Sequence, residues 1–241
     1  MYSQARFLVA GDRGLTVEFG NEVSPRVNLR VLELASTLEQ ARIPGVIEWI
    51  PTFRSLFILY NPLLIKLNRL IQEIEKLERN RGAPPPLKSR VLEIPVVYGG
   101  EYAQDLGKVA EYLHLTSEEV IQIHCSEEYL VYMNGFMGGT AFIKMPEKLS
   151  SLPRKKTPVL GIPGGTVMIA GGLGSVFKVF DAPTGWHAIG KSPLKQWFPQ
   201  RDPPLLIMAG DMIRYRPIDE KEFREIKKMV EEDTYTVKRL E

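Results

Sequence analysis

The sequence predicts an α+β chain of two domains, a small α/β unit followed by a β-rich one, and three observations carry that expectation. Two strand pairs, each followed by a segment of helical periodicity, come first. Pro84, Pro85 and Pro86 then interrupt the pattern, because proline locks φ and removes the amide that a helix or a ladder needs. Short apolar runs punctuated by glycine and proline follow, which is the signature of a barrel or a sandwich and not of alternating βα units. At 241 residues the chain also exceeds the commonest domain size of roughly 100–150 residues. The expected boundaries are residues 1–83 for the α/β domain, 90–218 for the β-rich domain and 219–241 for a charged terminal helix and tail.

Within the first domain, Arg6 to Ala10 and Leu15 to Phe19 flank the turn chemistry of Gly11 to Gly14 and read as a hairpin. Ser24 supplies a capping hydroxyl before Pro25 at the first helical position, and Val27, Val31, Leu34 and Leu38 recur at helical spacing as far as about Arg42. Ile43, Pro44 and Gly45 stop that helix, and two strands follow at Val46 to Ile50 and Leu56 to Tyr60. Asn61-Pro62 is expected to open a second helix, with Leu63, Leu67, Leu70, Ile71, Ile74 and Leu77 on one face. Two helices covering one face of a four-stranded sheet make an α+β sandwich.

In the second domain, Arg90 to Val97 reads as a strand and Gln104 to Leu113 as a helix. Thr116 and Glu119 stand at capping-box spacing ahead of a helix that runs to His124. Strands are then expected at Tyr129 to Met133, Gly165 to Ala170, Ser175 to Phe180, Leu205 to Ile207 and Met212 to Tyr215, before a charged helix over Asp219 to Glu232.

Composition narrows the function. With 31 Lys and Arg against 29 Asp and Glu, the net charge of +2 is too small for a phosphate backbone to be the default partner, so nucleic acid is not expected. The lone Cys125 cannot close an internal disulfide, and no Cys/His cluster has metal-site spacing, so no metal is expected and a reducing compartment fits. The apolar run Phe7 to Ala10 is too short for a signal-peptide core, and no stretch approaches the roughly 18 apolar residues of a membrane span. The expectation is a cytoplasmic protein that does not engage a membrane.

Four places hold residues suited to chemistry. His124, at a helix end, either titrates usefully or caps the helix. Asn134 to Thr140 packs three glycines around Phe136, which admits an anion or a partner strand to the backbone, or simply makes a flexible turn. Gly161 to Gly172 joins a tight turn at Pro163, Gly164 and Gly165 to a strand ending in two glycines and leaves little side-chain cover, either an approach for a ligand or a barrel corner. Trp186, His187 and Lys191 lie within a short glycine-bounded segment, read equally as a pocket wall or as a core tryptophan beside surface charge. No nucleophile elbow, zinc helix or triad spacing is present, so residue spacing alone names no reaction.

Taken together, Gly11-Asp-Arg-Gly-Leu15, Ile94-Pro-Val-Val-Tyr-Gly-Gly100, Glu128-Tyr-Leu-Val-Tyr-Met133, Pro163 to Gly171, Gly185-Trp-His-Ala-Ile-Gly190 and Ala209-Gly-Asp211 resemble one family in order. It is the 5-oxoprolinase B-subunit family, also called allophanate hydrolase subunit 1 or KipI-like. The resemblance implies a ferredoxin-like α/β sandwich followed by a cyclophilin-like β-barrel. It further implies a non-autonomous hydrolase component that, with a carboxyltransferase-like C subunit plus an A subunit, opens 5-oxo-L-proline to L-glutamate at the expense of ATP. The alternative that it implies is a KipI-like inhibitor of a histidine kinase.

Carried over to this chain, the resemblance places a shared site near His124, Tyr129, Asn134, Phe136, Arg154, Gly164, Gly165, Thr166, Trp186 and Lys191. His124 would carry a proton, Arg154 and Lys191 would contact an anion, Gly164 and Gly165 would admit a ligand to the backbone, and Trp186 would form an aromatic wall. The chain departs from the family's usual Gly-Phe-x-Pro-Gly-Phe at Gly135 to Thr140, and from its usual Arg-Thr at Lys191 and Ser192.

Overall fold

A computed structural model describes residues 1–79 and 90–240, which form two compact units. The proline run expected to mark the boundary lies outside the described residues.

The first unit runs β1 (Arg6–Ala10), β2 (Gly14–Glu18), α1 (Pro25–Ala41), β3 (Val46–Pro51), β4 (Ser55–Tyr60) and α2 (Leu67–Arg79). Its four strands form one antiparallel sheet in the order β1-β2-β4-β3. Alternation sends Leu15, Val17, Leu56 and Ile58 to one face, where they share a buried cluster with Val31 and Leu34 of α1 and Leu70 and Ile74 of α2. The Ser24 hydroxyl accepts the Val27 amide at the start of α1, Pro25 takes its first turn, and Arg42 ends it in the left-handed region with φ 45°.

The second helix starts later than its Asn61-Pro62 signal suggested. The Asn61 side chain accepts the Leu63 amide and its carbonyl accepts those of Leu64 and Ile65, so a turn forms first and the helix begins at Leu67. Leu63, expected on the apolar face, is 87% exposed.

The second unit opens with β5 (Val91–Tyr98), a single 3₁₀ turn, α3 (Leu106–Leu113) and α4 (Ser117–Cys125). There follow β6 (Glu128–Leu130), β7 (Met133–Asn134), β8 (Ala141–Lys144), α5 (Glu147–Ser150), β9 (Val159–Ile162) and β10 (Thr166–Ala170). It ends with β11 (Leu173–Ser175), β12 (Ala182–Thr184), β13 (His187–Lys191), β14 (Met212–Ile218), α6 (Glu220–Glu231) and β15 (Arg239–Leu240). The Thr116 and Glu119 capping box forms as read, and Asp219 caps α6.

One sheet takes the order β6-β14-β5-β13-β10-β11-β8-β7, with β15 added at β5, and only β14 and β5 run parallel. Its two ends, β6 and β7, are separated in the chain by just Val131 and Tyr132. The Val131 amide still donates to Asp211 beside β14, and the Tyr132 amide to Phe142 of β8. The path therefore returns to its own start, and the β-rich unit is a barrel rather than a sandwich. Ile143, Val167, Ile169, Ile189 and Ile213 fill its interior.

Two expected strands are corrected. The ladder ends at Ser175 instead of continuing to Phe180, because the chain bends there to exchange hydrogen bonds between Lys178 and the turn at Gly165 and Thr166. Leu205 to Ile207 reduces to a single bridge from Leu205 to Trp197, since the Ile207 amide bonds the Gln196 side chain instead of a strand. No helix among the described residues is long and apolar enough to cross a membrane.

Candidate functional site

On the outer wall of the barrel, Ser175 of β11 stands opposite Phe142 of β8 on one side and Met168 of β10 on the other. Their neighbours Ile143, Gly174 and Ile169 occupy the other face, towards the barrel interior. The row Phe142–Ser175–Met168 thus forms the floor of an outward-facing cleft of about 230 Å³. Pro183 and Thr184 of β12 line it from the two-stranded ribbon that β12 makes with β9.

Trp186 closes one side, its ring edge-on to Phe142 with centroids 5.7 Å apart. The Arg154 guanidinium lies over Trp186 at 5.7 Å from the ring centroid. Phe136, 98% exposed, stands at the rim. Among the described residues no carboxylate lines the cleft, while Arg154 and Lys178 supply cationic side chains, the second with Asp181 acting on it from outside the lining.

Arg154 is held in place through its neighbour. The Lys155 amide donates to the Gly185 carbonyl at 2.7 Å, and its ammonium bonds Asp105 Oδ2 at 2.6 Å. The same carboxylate oxygen accepts the Ala188 amide of β13 at 2.8 Å. Asp105→Ala would strand a buried amide and an ammonium together, and we expect it to cost about 2 kcal/mol in urea denaturation and to loosen the Arg154 loop, measured as faster amide exchange at Lys155.

Lys178 and Ser175 were not singled out by sequence reasoning, yet both line the cleft and both are buried, at 4% and 1% exposure. The Lys178 ammonium donates to the Ile162 carbonyl at 2.9 Å and also to that of Ala182, so it pins both strands of the ribbon. Burial lowers its pKa, and the Asp181 carboxylate acts in the opposite direction. Among the described residues Ser175 Oγ has no hydrogen-bond partner.

Of the ten residues proposed from the sequence, Phe136, Arg154 and Trp186 meet at this cleft. Gly164, Gly165 and Lys191 line a separate hollow of about 280 Å³, together with Lys195 and Lys227. Among the candidates, glycine at 165 is required by the chain itself: φ is +81° and a Cβ would lie 2.7 Å from the Ser192 carbonyl oxygen. That is the barrel-corner reading. Thr166 closes the same corner by donating to the Pro163 carbonyl.

Asn134 braces the loop. Its amide donates to the Gly139 and Ile207 carbonyls and its oxygen accepts the Ala209 amide. Gln196, absent from the sequence reading, donates to the same two carbonyls. Between them they fix the turn that carries Phe136.

His124 and Tyr129 line neither the cleft nor the hollow. The His124 ring is fully buried, stacked on Tyr215 at 4.1 Å, with Nδ1 2.7 Å from the Tyr98 hydroxyl. Tyr129 donates its hydroxyl to the His124 carbonyl. His124 is a core histidine, which desolvation holds neutral with a pKa lowered to about 3.

Comparison with known proteins places this geometry. A family model described as carboxyltransferase domain, subdomain C and D, matches residues 5–207. A 5-oxoprolinase B subunit from Bacillus subtilis (strain 168) is 37% identical over 227 residues, 90% of this chain and 94% of that protein. The crystal structure of TTHA0988 superposes with a TM-score of 0.74 at 32% identity, covering 86% of this chain; this chain spans only 40% of that one. Urea amidolyase from K. lactis shares the fold, with a TM-score of 0.80 over 98% of this chain at 17% identity, covering 16% of that enzyme. The chain therefore belongs to the 5-oxoprolinase B-subunit family, built on carboxyltransferase subdomains C and D.

Proposed function

We propose that this chain works as the B subunit of an ATP-dependent 5-oxoprolinase, and that the cleft beside Trp186 receives 5-oxo-L-proline for opening to L-glutamate. The observation that carries the assignment of the cleft is its lining, an aromatic wall and an arginine with no carboxylate among the described residues that line it. A five-membered ring lies flat on an indole face, and a guanidinium fork matches a carboxylate. The substrate has both parts.

Size supports the same choice. About 230 Å³ falls below the roughly 300–1,000 Å³ of sites for drug-sized ligands, so the cleft suits one small ring and not a nucleotide. ATP on this reading is a co-substrate of the whole assembly, and the A and C subunits supply what the cleft lacks. Among its lining residues none is a general base, since the Lys178 ammonium already donates to two carbonyls.

The decisive measurement is reconstitution. Mixed with its companion A and C subunits, the chain should release glutamate from 5-oxoproline only when ATP is present, and no component alone should do so. A mixture that stays silent, where a relative's B subunit restores turnover, would overturn the proposal.

A further inference from the structure

We infer that Ser175 and Lys178 form a two-donor seat for the ring carbonyl of a carboxylated lactam, with Arg154 taking the carboxylate. This deepens the proposed function and rests on the cleft being the substrate site. Three observations carry it.

First, the floor holds donors with nothing to receive them. Ser175 is 1% exposed and its hydroxyl meets no partner among the described residues, although buried hydroxyls are nearly always bonded. An ammonium has three N–H donors, and the two carbonyls of Ile162 and Ala182 account for two on Lys178. Each residue thus has one donor left, and no hydrogen bond joins them to each other.

Second, the two donors sit deep while Arg154 sits shallow. Lys178 and Ser175 are buried and Arg154 is exposed at the rim, yet all three line one cleft. A ligand that meets both ends must carry an acceptor on each side of a small apolar body, the body lying between Met168 and Trp186. In 5-oxoproline the carboxylate and the ring carbonyl flank the ring nitrogen, which fits that order.

Third, Lys178 is not already taken by an acid. Arg154 at the rim can pair a substrate carboxylate, while Lys178 bonds two carbonyls and has the Asp181 carboxylate acting on it through space. A carbonyl oxygen seated there accepts hydrogen bonds in the ground state and gains negative charge as its carbon is attacked, so the same donors bind the substrate and strengthen as the oxyanion develops.

The test compares two ligands on the full chain assembled with its companion subunits, read by calorimetric titration. One is 5-oxoproline; the other is tetrahydrofuran-2-carboxylate, which keeps a five-membered ring and the carboxylate but has no ring carbonyl and carries an ether oxygen in place of the ring N–H. The parent assembly should bind the second about tenfold more weakly. Ser175→Ala removes a hydroxyl that bonds nothing among the described residues, so it should assemble normally, and in it the gap between the two affinities should narrow to about threefold. Lys178→Met should narrow the difference as well, but it also frees the ribbon, and Ser175→Ala therefore decides the matter. If Ser175→Ala weakens both ligands equally, or neither, the seat does not exist while the cleft reading stands. If 5-oxoproline fails to bind the parent assembly at all, the cleft reading itself falls.

Discussion

Replacing Arg154 with methionine should lower kcat/KM for 5-oxoproline about 100-fold in the assembled enzyme and leave the melting temperature of the chain unchanged. The stability half follows from exposure, because Arg154 is an exposed side chain whose recorded contact is the Trp186 ring, and substitutions at such positions usually stay within about 0.5 kcal/mol. The activity half follows from charge-assisted hydrogen bonds being worth about 1.5–3 kcal/mol each. A carboxylate is held equally in the ground and transition states, so the loss should fall on KM with kcat nearly intact. Arg154→Lys should recover little, since an ammonium keeps the charge but not the planar fork. Steady-state glutamate release at varied 5-oxoproline reads all three outcomes, and a methionine variant within twofold of the parent would remove Arg154 from the site.

Reading the chain worked where a signal is local. Ser24 and Pro25 announce α1, Thr116 and Glu119 announce α4, and both helices start where those residues put them. The Asn61-Pro62 signal misled because asparagine bonds its own backbone two residues on as readily as it caps a helix. Strands β9, β12 and β13 were invisible for another reason. They are three to five residues long and carry proline, glycine or lysine, too short for alternation to declare itself.

The cleft shows the same division. Phe136 and Trp186 were reachable because each lies in a segment that the family resemblance covers, and Arg154 was carried over with the same resemblance. Ser175 and Lys178 were not, since nothing in the local sequence says that Ser175, beside Met168 in its own hairpin, will also face Phe142 from a strand far back in the chain. A buried lysine with carbonyl partners is likewise a tertiary fact: the same residue at the end of Ser175 to Phe180 reads as an ordinary strand cation. His124 stood at a helix end, where a titrating role was plausible, and only the stacking of Tyr215 over it makes it a core residue.

That core position has a consequence for acid stability, expected to be the largest effect on folding in the molecule. One ring nitrogen of His124 is bonded to the Tyr98 hydroxyl and the other, Nε2, is buried without a partner, so a second proton would have no acceptor. The folded chain resists protonation down to a pKa of about 3, whereas in the unfolded chain a histidine titrates near 6.5. Below about pH 6.5 the unfolded state therefore binds a proton that the folded state refuses. The contribution of His124 to stability is fully present above that pH and falls by about 1.4 kcal/mol per pH unit as the pH drops towards about 3. Carboxylates titrate in the same range, so the comparison must be with His124→Phe, whose ring keeps the stacking and carries no proton. Trp186 and Trp197 report on the β-rich unit and Trp49 on the other, so a Trp49→Phe background isolates the right transition. Urea midpoints at pH 6.5 and 4.5 should show the parent losing about 2 kcal/mol more than the phenylalanine variant. Parallel losses in the two proteins would mean that His124 accepts its proton inside the fold.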